Sequence, residues 1–151
     1  MTVVRLATPE DIEALATLTE EMNRYYGVSE VEPLGLRREQ IREALFGDVP
    51  AAYALLATDA GSAVGFATYS FLWPAVGLTR SLYLKELYIT PARHRSGVGR
   101  QIMESLFELA RQYDCSRLEW TTDQDNPGAQ AFYETFGVVP KTSKLFYRLE
   151  R

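Results

Sequence analysis

The sequence has few of the residues that build disulfides and metal clusters: one cysteine, Cys115, and one histidine among 151 residues. A single cysteine excludes an internal disulfide and a cysteine-rich metal site. Because free cysteines are usually buried, we interpret Cys115 as a small buried residue near a helix end. No apolar run is long enough to span a membrane, and the N-terminus lacks the pattern of a secretory signal. We expect a cytoplasmic protein without a metal or a membrane partner.

Basic residues are also scarce relative to acidic ones. The chain has 16 Lys and Arg against 20 Asp and Glu, a formal net charge of −4. Nucleic-acid-binding proteins usually present a basic face, so no nucleic-acid partner is expected. The length suits one domain with a sizeable core, and no linker, repeat or low-complexity tract interrupts it. Residues 1–151 are therefore predicted to form a single domain.

The hydrophobic pattern alternates between strand and helix periods and predicts a mixed α/β sheet with the order β-α-α-β-β-β-α-β-α-β. The predicted strands are 3–7, 52–58, 63–71, 81–90, 117–122 and 143–149. The predicted helices are 9–26, 36–46, 98–113 and 126–136. Thr8 before Pro9 is typical of a helix start, and Gly137 is typical of a helix end.

The stretch PARHRSGVGRQIM (91–103) joins a predicted strand to the helix that follows it. A helix start exposes backbone N–H groups and the positive end of the helix dipole, which together favour an anion. Gly97 and Gly99 would let the backbone approach a diphosphate closely, but they also fit a tight turn that only solves a packing problem. Ile102 stands where a dinucleotide fingerprint needs its third glycine, and Arg100 stands where a P-loop needs lysine. Both common nucleotide motifs therefore fail.

A second motif is TTDQDNPGAQAFYETFG (121–137). Asn126 followed by proline is typical of a helix cap. Tyr133 lies about 100° of helical rotation from its neighbour Phe132, so its hydroxyl can point into a cleft; the alternative is a half-buried structural tyrosine. Three apolar side chains at i, i+3 and i+7 spacing are predicted to be buried: Ala129, Phe132 and Phe136.

Together these motifs resemble the signatures of the GCN5-related N-acetyltransferase (GNAT) family. HRSGVG (94–99) is similar to that family's pyrophosphate loop, and NPGAQAFYETFG (126–137) is similar to its second signature. EWTTDQDNPGAQAFYETFG (119–137) and KLFYRL (144–149) look most like the branch with yeast histone/polyamine and D-amino-acid acetyltransferases. YLKELYI (83–89) also resembles spermidine/spermine acetyltransferases. The resemblance implies a mixed, mostly antiparallel, V-shaped sheet of six to seven strands, flanked by about four helices.

The resemblance also implies acetyl-CoA as co-substrate, held between the fourth and fifth strands. Asn126 would contact this cofactor, and Tyr133 would lie beside its sulfur. His94 replaces the family's Arg or Gln and is predicted to be a weaker or pH-dependent phosphate partner; the alternative is a solvent-facing turn histidine. The strand residues that would pair with the pantetheine arm are Leu87, Tyr88 and Ile89. The residues whose N–H groups would bind the pyrophosphate are Arg95, Ser96, Gly97, Val98, Gly99 and Arg100.

Within this implied reaction, an amine must lose a proton before it attacks the acetyl thioester. Glu86 is the candidate base through water, or a counter-charge for a cationic amine; the alternative is an exposed strand carboxylate. Tyr133 is the candidate acid for the CoA thiolate, since an ordinary tyrosine has a pKa of about 10. Lys85 stands where spermidine/spermine enzymes carry a second acid, and it is expected to repel a second ammonium. The further candidates for the amine cleft are Tyr25, Tyr26, Trp73 and Asp123.

The resemblance therefore predicts an acetyl-CoA-dependent N-acetyltransferase acting on a primary amine of a small molecule, namely a polyamine, an amino acid or a lysine-like compound. Two alternatives stay open at this point: acetylation of protein lysines or N-termini, and a non-catalytic acyl-CoA-binding sensor. A homodimer is also implied, with the last strand or the hairpin at Trp73 as the candidate contact.

Overall fold

The computed structural model describes all residues from Met1 to Arg151. It divides into two compact units, Met1–Trp120 and Thr121–Arg151. The first unit contains the sheet and three helices, and the second contains one helix and the C-terminal tail. No helix combines the length and the apolar character needed to cross a bilayer. A single domain over 1–151 stays a prediction.

The first unit is built on a five-stranded sheet whose spatial order is the same as its order in the chain. Neighbouring strands are antiparallel except the last two, which are parallel and are joined by a helical crossover. The strands are β1 (Thr2–Leu6), β2 (Tyr53–Asp59), β3 (Ser62–Leu72), β4 (Arg80–Ile89) and β5 (Cys115–Trp120). The helices are α1 (Ile12–Tyr25), α2 (Leu34–Phe46) and the crossover α3 (Val98–Gln112), with α4 (Pro127–Glu134) in the second unit.

The two faces of the sheet are covered by different helices, as the period-two alternation of strand side chains requires. On one face, α1 buries an apolar cluster made of Leu15, Leu18, Ala54, Leu56, Phe66 and Tyr88. The other face carries Phe71, whose ring lies 5.4 Å from that of Tyr113 at the end of α3. The fully buried side chains of α3 include Ile102, Met103 and Leu106, as its apolar spacing predicts.

A β-bulge in β4 changes which face its later residues occupy. Tyr69 of β3 stands opposite Leu84, and the residue before it, Thr68, stands opposite Glu86. Lys85, between Leu84 and Glu86, is therefore an extra residue without a partner in β3. Because side chains alternate along a strand, one inserted residue moves every following side chain to the other face. Thr68 is also opposite Ala54 of the α1-side cluster. Glu86 therefore lies on the α1 face.

The predicted element order is confirmed up to α4, and the predicted last strand is wrong. Residues 143–149 form no strand, so the sheet has five strands instead of six to seven. A strand is stabilised by a paired neighbour and by one buried face, whereas Phe146 is 67% and Leu149 93% exposed. Smaller differences concern element starts: α1 follows a 3-10 turn at Pro9–Asp11, and β5 begins at Cys115.

Candidate active site

The outer edge of β4 is open along its C-terminal half. β5 pairs with β4 only from Arg80 to Leu84, whereas β3 pairs with its other edge as far as Ile89. The N–H of Thr90 donates to the carbonyl of Val64 in β3 at 3.0 Å. Main-chain groups alternate between the two edges of a strand, so the ladder uses those of Tyr88 and directs those of Leu87 and Ile89 to the open edge. An extended ligand with amide groups can pair there.

A short turn connects this edge to the N-terminus of α3 and presents backbone N–H groups. Arg95 has φ +62° and Gly97 has φ +90°, both in the left-handed region. The N–H groups of Arg95, Gly97, Val98 and Gly99 have no acceptor within the protein. Unpaired amides at a helix start, together with the helix dipole, form a site for an anion. We call this group of four amides the amide cradle.

The side chains of the turn contribute less to the cradle than its backbone does. Ser96 donates from Oγ to the carbonyl of Arg93, and the Arg93 guanidinium pairs with Asp59 at the end of β2. Arg100 lies 3.9 Å from Glu104 one turn further along α3. Arg95 is exposed. Arg93 is thus occupied by Asp59, whereas Arg95 and Arg100 lie within or next to the cradle in the chain. Both of these can add charge-assisted contacts to a phosphate.

His94 ties the start of the turn to the end of β4. Its Nε2 lies 2.9 Å from the carbonyl oxygen of Ile89, and because a carbonyl only accepts hydrogen bonds, Nε2 carries the proton. The ring also lies edge-on to Tyr25, with centroids 6.2 Å apart. One ring nitrogen is thus committed to the backbone. A phosphate contact through the other nitrogen stays a prediction.

An aromatic cluster at the C-terminal end of α1 borders the same part of β4. The Tyr25 ring lies 5.3 Å from Tyr26 and 6.1 Å from Tyr88, measured between centroids. The buried Tyr88 hydroxyl donates to Oε2 of Glu21 at 2.6 Å. Burial, and then this carboxylate, raise the pKa of Tyr88 well above the ordinary value of tyrosine. The structure thus brings Tyr25, Tyr26, Tyr88 and His94 together.

Sequence reasoning missed Glu21, which resembles an ordinary surface glutamate of a helix. Leu18, Glu21 and Tyr25 follow i, i+3, i+7 spacing and so lie along one side of α1. Leu18 is buried in the α1-side cluster. That spacing was the available signal that Glu21 borders the core.

Trp73 is not placed with the other predicted acceptor residues. It lies in the β3–β4 hairpin, 66% exposed, and its indole N–H donates to the carbonyl of Leu78 at 2.9 Å. The hairpin meets β4 at Arg80, nine residues before Ile89. At about 3.3 Å per residue, roughly 30 Å of strand separates these ends. Trp73 is therefore remote from the aromatic cluster.

The second unit positions the remaining predicted residues by a capped helix. Oδ1 of Asn126 accepts from the Ala129 N–H at 3.1 Å, which confirms the predicted cap. The Gln130 amide donates to the carbonyl of Asp123 at 3.1 Å and orders the preceding loop. Tyr133 packs on Phe132 with ring centroids 5.2 Å apart. The roles of Asn126, Asp123 and Tyr133 toward a ligand stay predictions.

An open strand edge followed within a few residues by an amide cradle can pair with an extended ligand that carries amide groups and a phosphate. The model of the acetyltransferase (GNAT) family matches residues 15–138. The chain therefore belongs to this family and is an N-acetyltransferase.

The sequence and the fold are also similar to those of individual acetyltransferases and solved structures. A D-amino-acid N-acetyltransferase of Saccharomyces cerevisiae is 32% identical over 91 residues, which cover 60% of this chain and only 55% of the yeast protein. A thialysine N-ε-acetyltransferase of Bos taurus is 24% identical over 148 residues, covering 93% of this chain and 85% of that enzyme. The fold matches an integron cassette protein of V. cholerae with TM-score 0.91 and 26% identity, covering 99% and 93% of the two chains. An aminoglycoside N-acetyltransferase in complex with CoA shares the fold with TM-score 0.80 and 19% identity, covering 100% and 96%.

Proposed function

We propose that the protein transfers the acetyl group of acetyl-CoA to a primary amine of a small molecule. The acceptor is a polyamine, an amino acid or a lysine-like compound, in keeping with the named relatives, which are enzymes for D-amino acids and thialysine. The observation that carries the proposal is the continuity of the open β4 edge with the amide cradle. Only residues 90–94 separate the end of β4 from the first amide of the cradle.

The residues of this path fit the cofactor. The pantetheine arm contains amide groups, which match the main-chain N–H and carbonyl that Leu87 directs to the open edge; the Ile89 carbonyl already accepts from His94. The pyrophosphate is an anion, which matches the amide cradle. Arg95 and Arg100 add positive charge next to it. Acetyl-CoA supplies the activated acetyl thioester when it is bound.

Two side chains of the protein carry out the two proton transfers of the reaction. Glu86 takes the proton of the attacking amine, directly or through water. The N–H of Ile89 faces the open edge and stabilises negative charge that develops on a carbonyl oxygen there. Tyr133 donates its proton to the departing thiolate, the role that its signature implies.

Release of CoA from acetyl-CoA across an amine panel tests the proposal. The panel contains polyamines, lysine and thialysine, D- and L-amino acids, aminoglycosides and a histone-tail peptide. We expect release with one class of small amine, slowed about 100- to 10,000-fold in Tyr133→Phe. Tyr113→Phe, which removes a hydroxyl at the end of α3, is the matched control and is expected to keep the wild-type rate.

Other outcomes overturn specific parts of the proposal. Release only with the peptide indicates a protein acetyltransferase. Binding of acetyl-CoA without release for any amine indicates a non-catalytic sensor. A wild-type rate in Tyr133→Phe excludes Tyr133 as the acid.

We also propose that the protein is a homodimer, as the resemblance implies. The apolar side chains left exposed by the irregular C-terminal tail, Leu145, Phe146, Tyr147 and Leu149, are candidates for the contact. Light scattering at micromolar concentration is expected to give twice the chain mass. A monomer mass rejects the dimer.

A further inference from the structure

Two adjacent glutamates on α1 differ sharply in their partners. Glu20 lies 2.9 Å from Arg24 and 3.7 Å from Arg37, so its charge is compensated within the protein. Glu21 has no cationic partner within salt-bridge distance. Its hydrogen bond comes from the neutral Tyr88 hydroxyl. Arg24 and Arg37 are thus both paired with Glu20 and not with Glu21.

The surroundings of Glu21 favour a cation from outside the protein. The carboxylate is half-buried, and the hydroxyl it contacts belongs to a side chain that is only 3% exposed. A partly desolvated carboxylate is stabilised by an opposite charge. Tyr25 packs against Tyr88 and is itself 55% exposed, so part of its ring remains accessible. Aromatic faces attract ammonium groups.

Tyr88 links Glu21 to the part of β4 whose outer edge is open. Tyr88, its hydrogen-bond donor, stands between Leu87 and Ile89, whose main-chain groups face that edge. His94 connects Tyr25 to the Ile89 carbonyl. Tyr88 and Glu86 are on the same face of the sheet, the face that α1 covers. A ligand group bound at Glu21 would thus lie next to the strand residues of the proposed acetyl-transfer site.

We propose that the Glu21 carboxylate, with the Tyr25 ring beside it, binds the second positive charge of the acceptor. This inference rests on the proposed function and narrows its substrate class to amines with two cationic groups, such as linear diamines, polyamines and basic amino acids. The reacting amine loses its proton, while the distal ammonium keeps its charge at Glu21. Lys85, expected to repel such a substrate, is the exposed bulge residue of β4 and takes no part in the contacts described for Glu21 and Tyr25.

Steady-state kinetics with a linear diamine and the monoamine of the same chain length test this role. Glu21→Gln keeps an acceptor for the Tyr88 hydroxyl but removes the charge. We expect KM for the diamine to rise roughly 10- to 100-fold, the range for a lost charged hydrogen bond, while kcat changes less than about twofold. KM for the monoamine and for acetyl-CoA should not change. Glu20→Gln is the matched control and should leave all these constants at wild-type values.

Tyr25→Leu is a second variant that does not depend on the buried hydrogen bond. Because Tyr25 is more than half exposed, this variant is expected to fold, and it should also raise KM for the diamine selectively. An equal change of KM for both acceptors in either variant, or no change in both variants, overturns the inference.

Calorimetric binding of the diamine to the protein with CoA present separates this inference from the proposed function. Suppose wild type binds the diamine, Glu21→Gln binds it about 10-fold more weakly or worse, and neither acetylates it when acetyl-CoA is supplied. That outcome supports the cation site and rejects acetyl transfer to this acceptor. Turnover of diamines that Glu21→Gln does not affect supports the activity and rejects the site. Neither binding nor turnover of any dication by wild type rejects the site.

Discussion

Replacement of Gly97 by alanine tests the amide cradle, because this residue sets the backbone of the turn. Gly97 has φ +90° and ψ 0°, and a Cβ built there would meet nothing within 4 Å. The cost of alanine is therefore conformational and not steric, about 1–2 kcal/mol. The free protein can relieve this strain by shifting the turn to negative φ, which changes the positions of the N–H groups of the cradle. Binding of acetyl-CoA must then restore the strained form.

The measurement is acetyl-CoA affinity by calorimetry, together with thermal unfolding. If binding restores the strain, Kd rises about 5- to 30-fold, the equivalent of 1–2 kcal/mol. Gly61→Ala is the matched control: Gly61 has φ +82° and an equally open Cβ position, but it lies in the β2–β3 turn. It should lower Tm by about 2–8 °C, as the same strain predicts for a chain of this size, and leave Kd unchanged.

The refuting result is a Gly97→Ala protein that loses Tm as Gly61→Ala does but binds acetyl-CoA with wild-type affinity. That result would mean that the glycine serves only the conformation of the turn, and that the cofactor is held elsewhere.

Two further predictions concern the fold. Asp11 accepts hydrogen bonds from the Arg5 guanidinium at 2.7 and 2.9 Å and from the Thr8 N–H, and these lower its pKa from 3.8 to about 2. The lowered pKa contributes about 2 kcal/mol to the free energy of unfolding above pH 4, and this contribution is lost as the pH falls toward 2. Urea unfolding between pH 4 and pH 2 should show the loss. Asp11→Asn, which has no carboxylate to protonate, should not show this part of the pH dependence. Leu106 is fully buried, so Leu106→Ala should cost about 2–5 kcal/mol in urea unfolding. Val49 is 89% exposed, so Val49→Ala should change stability by no more than about 0.5 kcal/mol; equal losses would contradict the packing described.

The elements that carry the cradle could be predicted because their signals are local. The two glycines of the 91–103 turn, followed by Val98 and the apolar positions one and two turns later, predict both the turn and the start of α3. Asn126 before a proline likewise predicts the cap of α4, because capping depends on a few neighbouring residues. Such features need no knowledge of what packs against them.

The parts that sequence reasoning missed depend on pairing between distant segments. The extra residue Lys85 is visible only from the register of β3 with β4, and this register decides that Glu86 faces α1. The position of Glu21 depends on a hydrogen bond from Tyr88, which is 67 residues away in the chain. The alternation of KLFYRL predicts a strand at 143–149, but a strand also needs a partner, which the pattern cannot supply.

The most direct test of the central claim follows the acetyl group itself. The protein is incubated with acetyl-CoA labelled in the acetyl group and with a mixture of small amines, and both the small molecules and the intact protein are examined by mass spectrometry. We expect the label to move to a small amine as CoA is released, and an amine with two positive charges to be labelled first. Label that stays on CoA, or that appears only on protein, would contradict it.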